Sequence, residues 1–139
     1  MAVHAEDFTI KTKGAVHIVD ISSKVADIVR SSGLDNGVVC VFVPGSTGAL
    51  TTIEYEPGLL KDIPRALEII APRNADYAHH MTWNDDNGSS HVRAAFLGPS
   101  LTIPFRKGEL VLGTWQQAVF VELDTRSRRR SLICQVIGE

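Results

Sequence analysis

Several residue types that would point to a particular class of protein are scarce in this chain of 139 residues. Two cysteines are too few for the disulfide framework of a small secreted domain, and Cys40 and Cys134 lie in apolar, strand-like runs typical of buried thiols. The longest apolar run, residues 38–43, is far shorter than a membrane span, and the N-terminal residues lack the features of a secretory signal. We therefore expect a cytoplasmic protein with no membrane partner.

The chain also lacks an excess of either charge, since its formal net charge is -2 at pH 7. Its one basic cluster, formed by Arg126 and residues 128–130, has no interleaved aromatic residues, so we expect no nucleic-acid partner. A solvated hairpin turn is the simplest interpretation of the cluster, whose charge would also attract a phosphorylated ligand.

The apolar patterns predict one compact α+β domain over residues 1–139, with a largely antiparallel sheet and two inserted helices. Residues 8–12 and 16–21 flank a glycine turn and predict an opening hairpin. Residues 38–43 are apolar at every position, which favours a central strand covered on both faces. Further strands are expected at residues 49–54, 92–97, 101–105, 110–112, 117–123 and 132–137.

The two helices are predicted from apolar residues at helical spacing. The first follows Ser22-Ser23, either of which is an N-cap candidate, and Gly33 is placed to end it. The second covers about residues 59–70, where Pro64 lies too deep for a first-turn proline, so a kink or two short helices are expected.

Potential metal ligands and proton carriers are concentrated in residues 79–91, which hold three of the five histidines. A loop containing the acidic residues between them would bring His80 and His91 together, and two imidazoles plus a carboxylate make an open divalent metal site, for Zn or Mg. An EF-hand calcium loop is excluded, because Trp83 and Ala94 stand where it needs acids. The alternative is a polar turn with satisfied surface histidines.

Two other segments are candidates for the site. Residues 44–48, Pro-Gly-Ser-Thr-Gly, follow a buried strand, where Ser46 and Thr47 would line a phosphate-binding turn; an ordinary glycine turn is the alternative, because the Walker lysine is missing. Glu122 interrupts an apolar strand and is either a metal ligand or general base, or an edge residue that faces water with Asp124.

These segments together resemble the YjbQ family, named secondary thiamine-phosphate synthase, over nearly the whole chain and in the family's order. The most specific motifs are Leu-Gly-Thr-Trp-Gln at residues 112–116 and Asn-Gly-x-x-His at residues 87–91. The family's motif positions fall on Ser46, Thr47, Glu54, Asp62, His80, Asp86, Asn87, His91, Trp115, Gln116 and Glu122. His79 is not among them and is expected to be a bystander.

The resemblance implies a homotrimer with these residues in a cleft near a subunit interface. It also implies a weak thiamine-phosphate synthase activity, a transfer that joins a pyrimidine pyrophosphate to a thiazole phosphate and releases pyrophosphate. In that hypothesis His80 and His91, with Glu122, hold a metal or polarise pyrophosphate, Ser46 and Thr47 bind phosphate, and Glu122 or Glu54 is the base. The alternative is a non-catalytic trimer that binds a metal ion, phosphate or small metabolite.

The chain departs from the family pattern at two positions. Gly45 stands where many members have histidine, and Ile53 where many have asparagine. A mechanism that needs a third imidazole at position 45 is therefore not expected here.

Overall fold

The chain forms eight strands and four helices in a computed structural model that describes residues 1–139. The strands are β1 (Ala2–Lys11), β2 (His17–Asp20), β3 (Asn36–Phe42), β4 (Gly48–Ile53), β5 (Ser100–Arg106), β6 (Glu109–Leu110), β7 (Gln117–Glu122) and β8 (Arg129–Gly138). The helices are α1 (Ser22–Ser32), α2 (Leu59–Ile70), α3 (Ala78–Trp83) and α4 (Gly88–Leu97). None of these helices is long and apolar enough to cross a membrane.

The strands make two antiparallel sheets, one in the order β1-β8-β3-β5-β6 and the other in the order β2-β7-β4. Strand β7 is buried on both faces. Its Phe120 packs into a core with α1 and the larger sheet, whereas Val119 and Val121 pack with Leu67 of α2 and Ala94 of α4. The predicted α+β class and antiparallel pairing are confirmed.

Strand β3 is covered on one face only. Val39 and Val41 are buried in the core, but Val38 and Phe42 on the opposite face are 37% and 40% exposed. The prediction that residues 38–43 are covered on both sides is therefore wrong for a single chain, and β7 has that position instead.

The predicted opening hairpin is also wrong. β1 pairs with β8 over ten residues and β2 pairs with β7, so the two segments lie in different sheets. The chain crosses between the sheets at residues 12–15, where the N–H groups of Thr12 and Ala15 donate to the carbonyls of Arg128 and Asp124.

Four helices are present where two were predicted. Residues 92–97, predicted as a strand, belong to α4, whose Arg93 is buried and donates to the Ala71 carbonyl and to Glu68 at the end of α2. Helix α2 is one continuous helix that includes Pro64, so it does not divide into two pieces. Helix α1 begins at Ser22 without a side-chain cap, and Gly33 ends it with a φ of 70°, as predicted.

Candidate functional site

Glu122 is the fully buried anchor of a hydrogen-bond network at the end of β7. Its Oε1 accepts from Nε of Arg130 at 2.8 Å and from the Thr12 hydroxyl at 2.6 Å, and its Oε2 accepts from Nη2 of Arg130 at 2.5 Å and from the Asp124 N–H at 3.1 Å. A carboxylate bonded to four donors has no lone pair directed at solvent. Within one chain Glu122 is thus placed as a structural anion rather than as a base or metal ligand.

Asp124 joins three segments of the chain through one oxygen. Its Oδ2 accepts from the Thr47 hydroxyl at 3.0 Å, from Asn87 Nδ2 at 3.2 Å and from Arg128 Nη2 at 2.8 Å. Burial opposes its ionisation, but the hydrogen bonds from Arg128, from the Arg126 N–H and from Asn87 and Thr47 together lower its pKa to about 2. Asp124 is therefore an anion at neutral pH although it is only 1% exposed.

Sequence reasoning missed this network and interpreted the arginine cluster as a solvated turn. Arg130 is buried, and Arg128 pairs with buried Asp124. The available signal was the short separation between two acids, at 122 and 124, and two arginines, at 128 and 130, across one turn. Edge exposure of Glu122 and Asp124 is ruled out.

His80 holds the start of α4. Its Nε2 accepts the N–H of Gly88 at 3.0 Å, and its ring lies 5.4 Å from that of Tyr77. A Cβ at position 88 would lie 2.5 Å from Tyr77 Cβ and 2.9 Å from His80 Nε2, which explains the glycine after Asn87. The nitrogen expected to bind a metal or substrate is thus used to position the helix.

His79 and His91 form the imidazole pair of the site, with ring centroids 4.4 Å apart. His79 Nε2 lies 3.3 Å from Asp85 Oδ2 but is not aligned for a hydrogen bond, and it is the only buried side-chain nitrogen or oxygen without a hydrogen-bond partner. His79 was expected to be a bystander, but its ring packs directly against the ring of His91.

The environment of His91 favours a neutral imidazole. Burial and neighbouring His79 lower the pKa of His91 below 6.5, and they outweigh the opposite effects of Asp85, Asp124 and the Ser46 backbone. At neutral pH His91 is therefore able both to donate and to accept a hydrogen bond.

The loop of residues 44–48 lies beside His91 and presents unbonded donors. The backbone N–H groups of Gly45, Ser46 and Thr47 have no acceptor within the protein. Thr47 is buried, and its hydroxyl donates to Asp124 and accepts from Arg130, so this hydroxyl is not free to bind phosphate as predicted. Ser46 is exposed and its hydroxyl makes no hydrogen bond within the protein, so its phosphate-binding role stays a prediction.

A polar cavity of about 270 Å³ opens next to this network. It has no hydrophobic lining residue and is bounded by Asp85, Asp86, Asn87, Asp124, Thr125, Arg126 and Arg128. A larger cavity of about 420 Å³ lies elsewhere, around Gly37 and Gly138, and contains none of the predicted site residues. The smaller cavity adjoins Asp124, but neither the loop of residues 44–48 nor any histidine lines it.

The remaining predicted residues lie away from the histidines. Gly48 pairs with Glu122 at one end of the β4–β7 ribbon and Ile53 pairs with Gln117 at the other, which puts Glu54 about 20 Å from Gly48. Gln116 Nε2 donates to Thr52 at this far end, next to Trp115, which is 71% exposed. Asp62 is exposed in the first turn of α2.

The predicted metal ligands His80, His91 and Glu122 do not form a site within one chain. No group of three or more histidine, cysteine, aspartate or glutamate residues is placed to hold a metal ion. Glu122 and Nε2 of His80 are already engaged in hydrogen bonds.

Comparison with known proteins agrees with the fold and with the family that the sequence resembles. A family model described as UPF0047 protein YjbQ-like matches residues 6–139. A UPF0047 protein of Methanothermobacter thermautotrophicus is 41% identical over 130 residues, which are 94% of this chain and 90% of that protein. One of Archaeoglobus fulgidus is 38% identical over 91% of this chain and 97% of its own length.

Solved structures show the same architecture. A YbjQ-like protein of unknown function from Sulfolobus solfataricus superposes with a TM-score of 0.93 at 36% identity and covers 99% of both chains. A hypothetical protein from Aeropyrum pernix gives 0.91 at 32% identity, over 98% of this chain and 99% of its own. From the extent of these matches, the chain belongs to the YjbQ-like UPF0047 family.

Proposed function

We propose that this protein binds a small phosphorylated metabolite between the loop of residues 44–48 and His91, and that it catalyses a transfer in which pyrophosphate leaves. The observation that supports this most is that the consecutive backbone N–H groups of Gly45, Ser46 and Thr47 have no acceptor in the protein, in a loop whose Ser46 carbonyl faces His91. Backbone amides of this kind stabilise anions without needing a basic side chain.

The charges around the cleft are compatible with an anionic ligand. Glu122 is neutralised by Arg130, and Asp124 by Arg128, through short hydrogen bonds. The two buried acids therefore repel a phosphate less than their number suggests, and the loop amides supply the positive potential that an anion needs.

In the proposed reaction, the ring nitrogen of a thiazole phosphate bonds to the methylene carbon of a pyrimidine pyrophosphate. The carbon–oxygen bond breaks, and pyrophosphate leaves with the electron pair. The amides at residues 45–47 stabilise the charge that develops on the leaving oxygens. The neutral ring of His91 donates a hydrogen bond to an oxygen of the leaving pyrophosphate, and the ring of His79 packs against it.

A steady-state assay of pyrophosphate release with these two substrates tests the proposal. We expect release above background for the wild type, and a loss of at least about tenfold in His91→Ala. His4→Ala is the control, because His4 lies on β1 and its side chain hydrogen-bonds only to Glu6. Release at the background rate by the wild type, or full activity in His91→Ala, would contradict the transferase proposal.

The second candidate is a protein that binds the same ligand without turnover, and the same donors support it. Its signature is saturable binding of pyrophosphate that His91→Ala weakens, together with no pyrophosphate release from the substrates. The two measurements on one preparation separate binding from catalysis.

We also propose that the protein is a homotrimer. The support is the separation of the motif residues: Glu54 and Trp115 lie about 20 Å from the histidine end of the same chain, and a head-to-tail ring would bring them to the cleft of a neighbouring copy. The apolar outer face of β3 and β8, with Val38, Phe42 and Ile133 at least 36% exposed, is available for such contact. Light scattering that gives a monomer mass of 15.2 kDa would contradict the trimer.

Two further expectations are proposals of the same kind. A cytoplasmic location is supported by two free thiols, Cys40 and Cys134, as is usual in a reducing compartment. Binding of Zn or Mg has little support from residues of one chain, so no step above uses a metal. Elemental analysis of the purified protein tests it, and a stoichiometric metal would support it.

A further inference from the structure

Arg130 has one guanidinium nitrogen that the protein does not use. The side chain is only 10% exposed; its Nε and Nη2 donate to Glu122, and Nη2 also donates to Thr47. Nη1 has no acceptor in the protein. Because the only buried unpartnered side-chain nitrogen or oxygen is Nε2 of His79, Nη1 of Arg130 reaches the surface.

Gly45 lies next to Nη1 of Arg130. A Cβ built on Gly45 would be 3.1 Å from Nη1, and no other atom beyond the adjacent residues lies within 4 Å of that position. The missing side chain therefore leaves a gap, the Gly45 notch, with Nη1 of Arg130 at its base. The unbonded N–H groups of Gly45, Ser46 and Thr47 belong to the same loop.

The guanidinium is held firmly in this orientation. Glu122 engages two of its nitrogens, and its carbon lies 5.8 Å from the centre of the Phe120 ring. Neither of these contacts needs to break for Nη1 to donate a hydrogen bond to a ligand, so the donor is already in position before binding.

We propose that Nη1 of Arg130, reached through the Gly45 notch, binds a phosphoryl oxygen of the ligand and fixes the position of that phosphate. This inference rests on the proposed function and adds a specific donor that the sequence motif did not include. It also selects a ligand class. A carboxylate pairs best with two parallel guanidinium N–H groups, but Glu122 occupies that arrangement. A phosphate has enough oxygens to share between Nη1 and the loop amides.

Isothermal titration of the full chain with pyrophosphate, and separately with malonate, tests the inference. Gly45→Ala places a methyl group over Nη1 and leaves the bonds from Arg130 to Glu122 intact, so we expect pyrophosphate affinity to fall roughly tenfold, the effect of one charge-assisted hydrogen bond. Arg130→Lys keeps the charge and removes Nη1, and we expect a similar loss. Arg129→Gln is the matched control, because Arg129 is an exposed neighbour without a side-chain hydrogen bond.

The possible results separate this inference from the proposed function. If the wild type binds pyrophosphate, His91→Ala weakens binding and Gly45→Ala does not, the role of Nη1 is wrong while the phosphate site stands. If the wild type does not bind pyrophosphate, both fail. Malonate binding as tight as pyrophosphate binding would overturn the selectivity for phosphate. Should Arg130→Lys not fold, Gly45→Ala alone decides, since position 45 is exposed and its φ is not positive.

Discussion

Replacing Glu122 by glutamine should destabilise the fold more than it changes the chemistry. The wild-type carboxylate accepts four hydrogen bonds, two of them from buried Arg130 at 2.5 and 2.8 Å. Glu122→Gln removes the negative charge, leaves the guanidinium buried and uncompensated, and turns an NH₂ group towards a donor. Breaking one partner of a buried pair costs about 3–5 kcal/mol. That loss is a large part of the total free energy of unfolding of a domain, about 5–15 kcal/mol.

Urea unfolding at pH 7, followed by far-ultraviolet circular dichroism, measures this change. Glu54→Gln is the control: Glu54 is exposed, and its substitution should change the free energy of unfolding by no more than about 0.5 kcal/mol. The double variant Glu122→Gln with Arg130→Gln should lose less than the sum of the two single variants, because it leaves no unpaired buried charge. A loss below about 1 kcal/mol in Glu122→Gln would refute the anchor role.

Three further outcomes are expected. Gly88→Ala should lose at least about 1 kcal/mol of unfolding free energy, since its Cβ would lie 2.5 Å from Tyr77 Cβ. Gly113→Ala is the control, because a Cβ there meets only ordinary contacts and the variant should unfold close to wild type. Equal urea midpoints for the two variants would contradict the prediction. The pKa of Asp124 is lowered from 3.8 to about 2, so its carboxylate stabilises the fold above pH 4 by about 2 kcal/mol, and this contribution is lost as the pH falls towards 2. In urea unfolding at pH 5 and at pH 2, Asp124→Asn should therefore lose less stability over this interval than the wild type does. Equal losses would count against the network. The His91 ring should titrate below pH 6.5 in an NMR experiment, because burial disfavours its charged form; a midpoint above 6.5 would be incompatible with the neutral imidazole.

Local sequence patterns predicted those elements whose start, end or strand character depends on residues within the element itself. Gly33 ends α1, and the apolar run of residues 132–137 lies within β8. The opening hairpin was wrong because its glycine turn is a local feature, whereas the ten-residue pairing of β1 with β8 is non-local. Residues 92–97 were predicted as a strand from their mostly apolar run. They form part of α4 instead, in which Arg93 is buried and donates a hydrogen bond to the Ala71 carbonyl after α2, a non-local contact that the run itself does not show.

The candidate site was predictable in its residue types more than in their roles. The sequence singled out His91, Asn87 and the loop of residues 44–48, and the structure places them around Asp124. It did not reveal that Glu122 and Arg130 neutralise each other in the core, because the pairing of a buried acid with a base depends on three-dimensional contacts. Nor could it show that Glu54 lies at the opposite end of β4.

A crystal structure of the protein soaked with pyrophosphate tests the central claim most directly. The account predicts a phosphate on the N–H groups of Gly45, Ser46 and Thr47, with Nη1 of Arg130 and the ring of His91 within hydrogen-bond distance. Pyrophosphate bound only elsewhere, for example at the exposed side chain of Arg126, would contradict it.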